Sequence, residues 1–135
     1  QGEPRTMQKN PVYTDLLSEV KSFLAERARA LTDLGVSAEK IVLDPGFGFG
    51  KTVSQNFELL AKTEDFLSLG YPLLYGMSRK SSLGAVTGIT KAEERLISSV
   101  TAVERGASIV RVHDVKQMKE ALTIYKAMVH YKDLK

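Results

Sequence analysis

The 135-residue sequence predicts an α/β fold built on parallel strands. Three observations carry this. Segments with apolar residues at three- and four-residue spacing alternate with short, almost wholly apolar runs, the pattern of strands covered on both faces. Strands alternating with helices imply right-handed crossovers between parallel neighbours. Each apolar run also closes on glycine and polar residues, at the strand end where parallel folds collect ligand-binding groups. Three such strands fit a small open sheet or part of a (β/α)8 barrel. A whole barrel takes about 250 residues, so this length supplies only part of one.

The elements follow in order. The opening "QGEPRTMQ" reads as the loop after a strand that is not present, so a fragment is expected. Residues 15–34 place Leu16, Leu17, Val20, Phe23, Leu24, Ala28 and Leu31 on one helical stripe, with Gly35 as the stop. "KIVLD" is the first strand. Ser54 is the expected cap of a second helix carried by Phe57, Leu60, Phe66 and Leu67. "YPLLYGMS" is the second strand. Thr90 with Glu93 forms a capping box for a third helix that stops at Gly106. "ASIVRVHD" is the third strand. Asp114 and Gln117 repeat the capping pattern before a last helix, 115–132, through Met118, Ala121, Leu122, Tyr125, Met128 and Val129.

Composition excludes several functions. A formal net charge of +3 is far from the basic stripe of a nucleic-acid binder and suits a small anionic substrate. Zero cysteines exclude disulfide scaffolds and thiolate zinc sites. No apolar run approaches the roughly 20 residues of a membrane span, and no charged n-region with an apolar h-region opens the chain. A soluble, cytoplasmic protein is expected.

The stretch "KIVLDPGFGFGKT" imitates a nucleotide phosphate loop without being one. Such a loop needs glycine five positions before Gly50, where this chain has Pro45, which lacks the N–H a phosphate cradle uses. A dinucleotide fingerprint fails too: from Gly46 it meets Lys51, and from Gly48 it meets Val53. What remains is Asp44 at a strand's carboxyl end, a pure acceptor suited to a ligand with adjacent N–H donors. Phe47 and Phe49 are candidates for stacking on flat rings. The competing reading is a tight turn in which Asp44 caps local amides.

In "LYGMSRKSS", Gly76, Ser78 and Lys80 share one strand parity, and Tyr75, Met77 and Arg79 share the other. With the first set inward, Lys80 reaches a ligand and Gly76 leaves room for it. Ser81 and Ser82 open a short helix whose free N–H groups suit an anion. In "SIVRVHDV", Arg111 and His113 share a face, an arrangement for phosphate or diphosphate. Each pattern also has a bland reading, as a basic surface turn or a satisfied core pair. His130 reads as surface. Together the three strand ends describe a site for a flat heterocycle carrying an anionic group.

"LDPGFGFGKT", "GMSRKSSLG" and "GASIVRVHDV", in this order and spacing, resemble the bacterial dihydropteroate synthases, and "QGEPRTMQ" resembles that family's loop after the fifth barrel strand. The resemblance runs from residue 1 to about residue 122. It implies that residues 1–135 are the C-terminal half of a single pterin-binding (β/α)8 barrel domain, with strands six to eight. It implies a transferase of folate biosynthesis that joins 4-aminobenzoate to 6-hydroxymethyl-7,8-dihydropterin diphosphate, releasing diphosphate. Asp44 and Lys80 would be catalytic, and Asp44, Gly76 and Lys80 would hold the pterin. Phe49, Lys80 and Ser81 would form the 4-aminobenzoate pocket, where sulfonamides compete, and Arg111 and His113 would hold diphosphate. Mg2+ would assist, its protein ligand lying outside this chain, and the last helices would form a homodimer. With the first five strands outside residues 1–135, the chain alone is expected to be inactive. "RLISSVTAVERG", 95–106, is about a turn shorter than the family's helix. Two alternatives stand beside the synthase: a methyltransferase barrel of the methyltetrahydrofolate type, which needs no diphosphate site, and a non-enzymatic remnant.

Overall fold

The computed structural model describes residues 12–89 and 96–133. Helix α1, Leu16–Asp33, opens where Asp15 accepts a hydrogen bond from the Ser18 amide. Its buried stripe is Leu16, Val20, Leu24 and Ala28, each four residues on, the spacing that keeps side chains on one face. That stripe packs on Ile41, Leu43, Leu59, Phe66 and Leu73. Gly35, at φ 88°, turns the chain out of the helix.

Three parallel chain segments lie side by side, as the alternation predicts. Leu43 bridges Leu73, and β1, Leu74–Tyr75, pairs with β2, Ile109–Val110. The strands are shorter than the runs 41–44, 72–78 and 108–113 that the apolar pattern marks out. Past Leu43 the chain turns off through Asp44, Pro45 and Gly46, and past Tyr75 it leaves the ladder at Gly76. Between strands run α2, Val53–Ala61, with a 3-10 segment Thr63–Leu69, and then α3, Ser81–Thr87, and α4, Leu96–Glu104. The last helix is α5, Val115–Val129. The capping box at Thr90 and Glu93 lies outside the described residues.

The two faces of the sheet differ. Leu73, Tyr75 and Met77 are each 0% exposed and point toward the helices, where Tyr75 and Met77 join Phe47, Leu60, Leu83, Ala102 and Ala107 in a second core. The Tyr75 hydroxyl donates to the Leu59 carbonyl at 3.1 Å and shares a hydrogen bond with Thr63. Burial pushes its pKa up to about 12. On the opposite face Val42 and Ile109 remain 43% and 41% exposed. No helix among the described residues is long and apolar enough to cross a membrane.

Two capping expectations need correction. Thr52, not Ser54, caps α2: it accepts from the Gln55 amide while the Gln55 side chain accepts from the Thr52 amide. Asp114 precedes α5 but makes no side-chain cap, because its carboxylate is held by Arg79. The last helix ends at Val129, and a short 3-10 turn follows at Tyr131–Asp133.

Candidate active site

The site is built on the three strand ends. After Leu43 the chain leaves the sheet, and Asp44 Oδ1 accepts from the Gly46 amide at 2.8 Å, so the local-turn reading is realised by one oxygen. The other oxygen meets no hydrogen-bond donor among the described residues. Gly46, Gly48 and Gly50 all take positive φ, which lets the loop double back tightly. Lys51 closes it, donating to the carbonyls of Gly46 and Phe49 at 3.1 Å each. Burial lowers the Lys51 pKa, and the Asp44 charge opposes the shift.

The two phenylalanines have separate fates. Phe47 is 1% exposed and meets Phe57 edge-on at 6.3 Å, so it belongs to the core and not to a stacking platform. Phe49 is 41% exposed. The Lys80 ammonium lies 3.6 Å from its ring centroid, a cation–π contact.

Parity along "LYGMSRK" holds where it matters. Gly76 leaves the space that the Arg111 guanidinium fills: a Cβ there would approach Arg111 to 2.6 Å. A Cβ on Gly48 would meet Lys80 Cδ at 2.8 Å, so Lys80 lies in a notch of the glycine loop. Lys80 has a lowered pKa, first because it is partly desolvated and second because Arg111 repels its proton, with Asp44 acting in the opposite sense. Asp44, Lys80 and Arg111 therefore share one electrostatic field, with Phe49 as its flat wall. Ser81 is exposed at the first position of α3.

The third strand end joins the second. The His113 amide donates to Ser78 Oγ at 3.2 Å, and Ser78 Oγ lies 2.6 Å from His113 Nδ1. An imidazole that accepts the serine proton at Nδ1 keeps its own on Nε2, where it is a donor. Arg79 turns away from this set. At φ 58° it sits in left-handed backbone and reaches Asp114 at 3.0 Å. His130 is exposed at the end of α5, as its neighbours predict.

A cavity of 680 Å³ lies between the glycine loop and α1, walled by Asp44, Phe49 and Lys51 on one side and Tyr13, Glu19 and Phe23 on the other. Lys80, Arg111 and His113 do not line it, so of the converging groups only Asp44 and Phe49 reach it. Among the described residues no group of three or more His, Asp or Glu side chains is arranged to hold a metal ion. Sequence reasoning missed Asn56, which is 1% exposed and joins the glycine loop to α3. An asparagine on the covered side of an amphipathic helix was the available signal.

Comparison with known proteins finds relatives of this chain and of its fold. The chain is 42% identical over 138 aligned residues to the dihydropteroate synthase of Escherichia coli K12, covering 100% of this chain and 49% of that protein. The crystal structure of dihydropteroate synthase from Stenotrophomonas maltophilia, with imidazole bound in its active site, superposes with a TM-score of 0.92 at 46% identity, covering 96% of this chain and 51% of that one. The Xanthomonas albilineans synthase in complex with 7,8-dihydropteroate superposes with a TM-score of 0.86 at 40% identity, covering 89% and 46%. The chain thus spans about half the length of the relatives it matches. Its strands and helices are an arc of a (β/α)8 barrel. Residues 1–113 of the 135 match the family described as pterin binding enzymes, and the chain belongs to that family.

Proposed function

We propose that this chain is part of a dihydropteroate synthase, which condenses 4-aminobenzoate with 6-hydroxymethyl-7,8-dihydropterin diphosphate. The observation that carries the reading is the convergence of an acceptor carboxylate (Asp44), a ring platform (Phe49) and two cations (Lys80, Arg111) on the carboxyl end of one sheet. Asp44 accepts from the pterin's adjacent N–H groups, Lys80 holds the pterin edge, and Gly76 makes room for the Arg111 guanidinium beside it. Phe49, the Lys80 stem and Ser81 receive the aminobenzoate, and sulfonamides, which copy its shape, compete there.

In the reaction the methylene C–O bond breaks and its electron pair leaves with the diphosphate. The aminobenzoate nitrogen supplies the pair for the new C–N bond and then loses a proton. Arg111, and His113 as a donor through Nε2, stabilise the charge that grows on the diphosphate. Ser78 keeps that imidazole nitrogen aimed. Magnesium belongs to this reading as a counter-ion of the diphosphate; the described residues of this chain supply no ligand set for it, and no step above runs through it.

A cytoplasmic reaction and a homodimer complete the proposal. Ile97 on α4 and Ile124 and Met128 on α5 are 73%, 72% and 63% exposed, an apolar surface suited to a two-fold contact of like helices.

Isothermal calorimetry and product formation in the full-length protein test the reading. Asp44→Asn is expected to weaken pterin binding about tenfold or more, because a donor amide then faces ligand donors. Arg111→Ala is expected to lower turnover with pterin binding largely kept. Unchanged pterin affinity in the first and unchanged turnover in the second would defeat the assignment.

A further inference from the structure

We infer that Asn56 is a positioning residue for the Lys80–Phe49 pair: it fastens the glycine loop to the start of α3 and thereby sets the gap between two strand ends. This rests on the reading above, in which that gap receives the flat rings of the substrates. Asn56 sits on α2 at 1% exposure. Its Oδ1 accepts from the Gly48 amide at 2.6 Å. Its Nδ2 donates to the Thr52 carbonyl at 2.9 Å and to Ser82 Oγ at 3.0 Å. The amide orientation is unambiguous, since Gly48 offers a donor and Thr52 an acceptor.

The anchored points flank the working groups. Gly48 precedes Phe49 and forms the notch for the Lys80 stem, while Ser82 follows Lys80 by two residues. Backbone pairing does not do this job. Among the described residues the ladder between the two segments is the single Leu43–Leu73 bridge, several residues short of the gap. Past that bridge, the buried amide of Asn56 spans from one loop to the other. A side chain that serves only to satisfy buried polar groups would affect stability; one that sets this gap also affects how Lys80 meets Phe49.

The test uses Asn56→Ala and Ser82→Ala in the full-length protein, with Thr63→Val as a comparably destabilised control in the separate Tyr75 hydroxyl network. Two readouts are taken: KM and kcat for the aromatic amine, and the Lys80 titration followed by NMR of its ε-carbon. Loosening the gap hydrates Lys80 and moves its titration upward, with Arg111 still lowering it and Asp44 still raising it. Asn56→Ala is expected to raise KM for the amine roughly 10-fold, short of the roughly hundredfold loss that a full 1 Å misplacement produces, and to move the Lys80 titration upward. Ser82→Ala, which keeps two of the three bonds, moves both in the same direction by less, and decides the matter should Asn56→Ala not fold. Thr63→Val moves neither. If both site variants behave like Thr63→Val, the positioning role is overturned. If the unaltered protein forms no dihydropteroate, the functional reading falls, while the Lys80 titration still decides the role of Asn56.

Discussion

Lys80 concentrates the chemistry of the site in one side chain. Its stem lies against Gly48, its ammonium over Phe49, and its charge between Arg111 and Asp44. Desolvation and Arg111 favour the neutral amine, and Asp44 favours the ammonium. Arg111→Met is therefore expected to raise the Lys80 titration, and Asp44→Asn to lower it, each seen by NMR of the lysine ε-carbon. Shifts of the opposite sign would mean that the three groups do not share one field. The same depression has a sign for folding. The unfolded chain holds this proton up to 10.5 while the folded chain releases it earlier, so Lys80 makes the fold gain stability as pH rises through that window. An anionic ligand beside Lys80 restores the ammonium and closes the window. Among residue-level expectations, the placement of Asp44, Lys80 and Arg111 at the strand ends was legible because strand parity and end position depend only on local spacing. Phe47 was not, because whether a loop aromatic turns inward depends on Phe57 and Tyr75, which reach it only through the fold.

Helix ends show why elements were easier to find than their boundaries. The Leu16–Ala28 stripe repeats every four residues and needs no partner to be recognised. The start of α2 offers Thr52 and Ser54 as rival caps. The side chain three residues on separates them: Gln55 reciprocates Thr52, while Phe57 has nothing to return to Ser54. Thr52→Ala is expected to cost about 1 kcal/mol in chemical denaturation, and Ser54→Ala far less. Equal costs would contradict the cap seen here. Asp114 carries the sequence signature of a cap and spends its carboxylate on Arg79, 35 residues earlier. No local pattern contains that contact. Nor does local pattern set strand length, because residues past Tyr75 keep strand-like side-chain alternation after the ladder has ended.

At the scale of the molecule, burial is one-sided. The helices cover Leu43, Leu73, Tyr75 and Met77, while Val42 and Ile109 on the reverse face stay open and the outer segments present unpaired edges among the described residues. Exposed edges and apolar patches of this kind favour association. The 135-residue chain by itself is expected to aggregate, and sedimentation showing a stable monomer with reversible melting would refute that. In the full-length protein the proposed two-fold contact uses α4 and α5, and Met128→Glu is expected to convert that proposed dimer to monomer at micromolar concentration by burying a carboxylate in an apolar contact. A species already monomeric, or a dimer indifferent to the substitution, would exclude that interface.

The buried Tyr75 hydroxyl gives the protein an optical probe of its own unfolding. The sequence has five tyrosines and no tryptophan, so near-ultraviolet absorbance is dominated by phenol. Tyr75 ionises near 12 in the fold and at the ordinary 10.0 once released. Its contribution to stability is complete below 10.0 and disappears as pH climbs toward 12. Between those values, adding denaturant should produce a step of tyrosinate absorbance that coincides with loss of helical circular dichroism. A Tyr75→Phe protein should show a smaller step. Equal steps in the two proteins would mean that this phenol already meets solvent in the folded state.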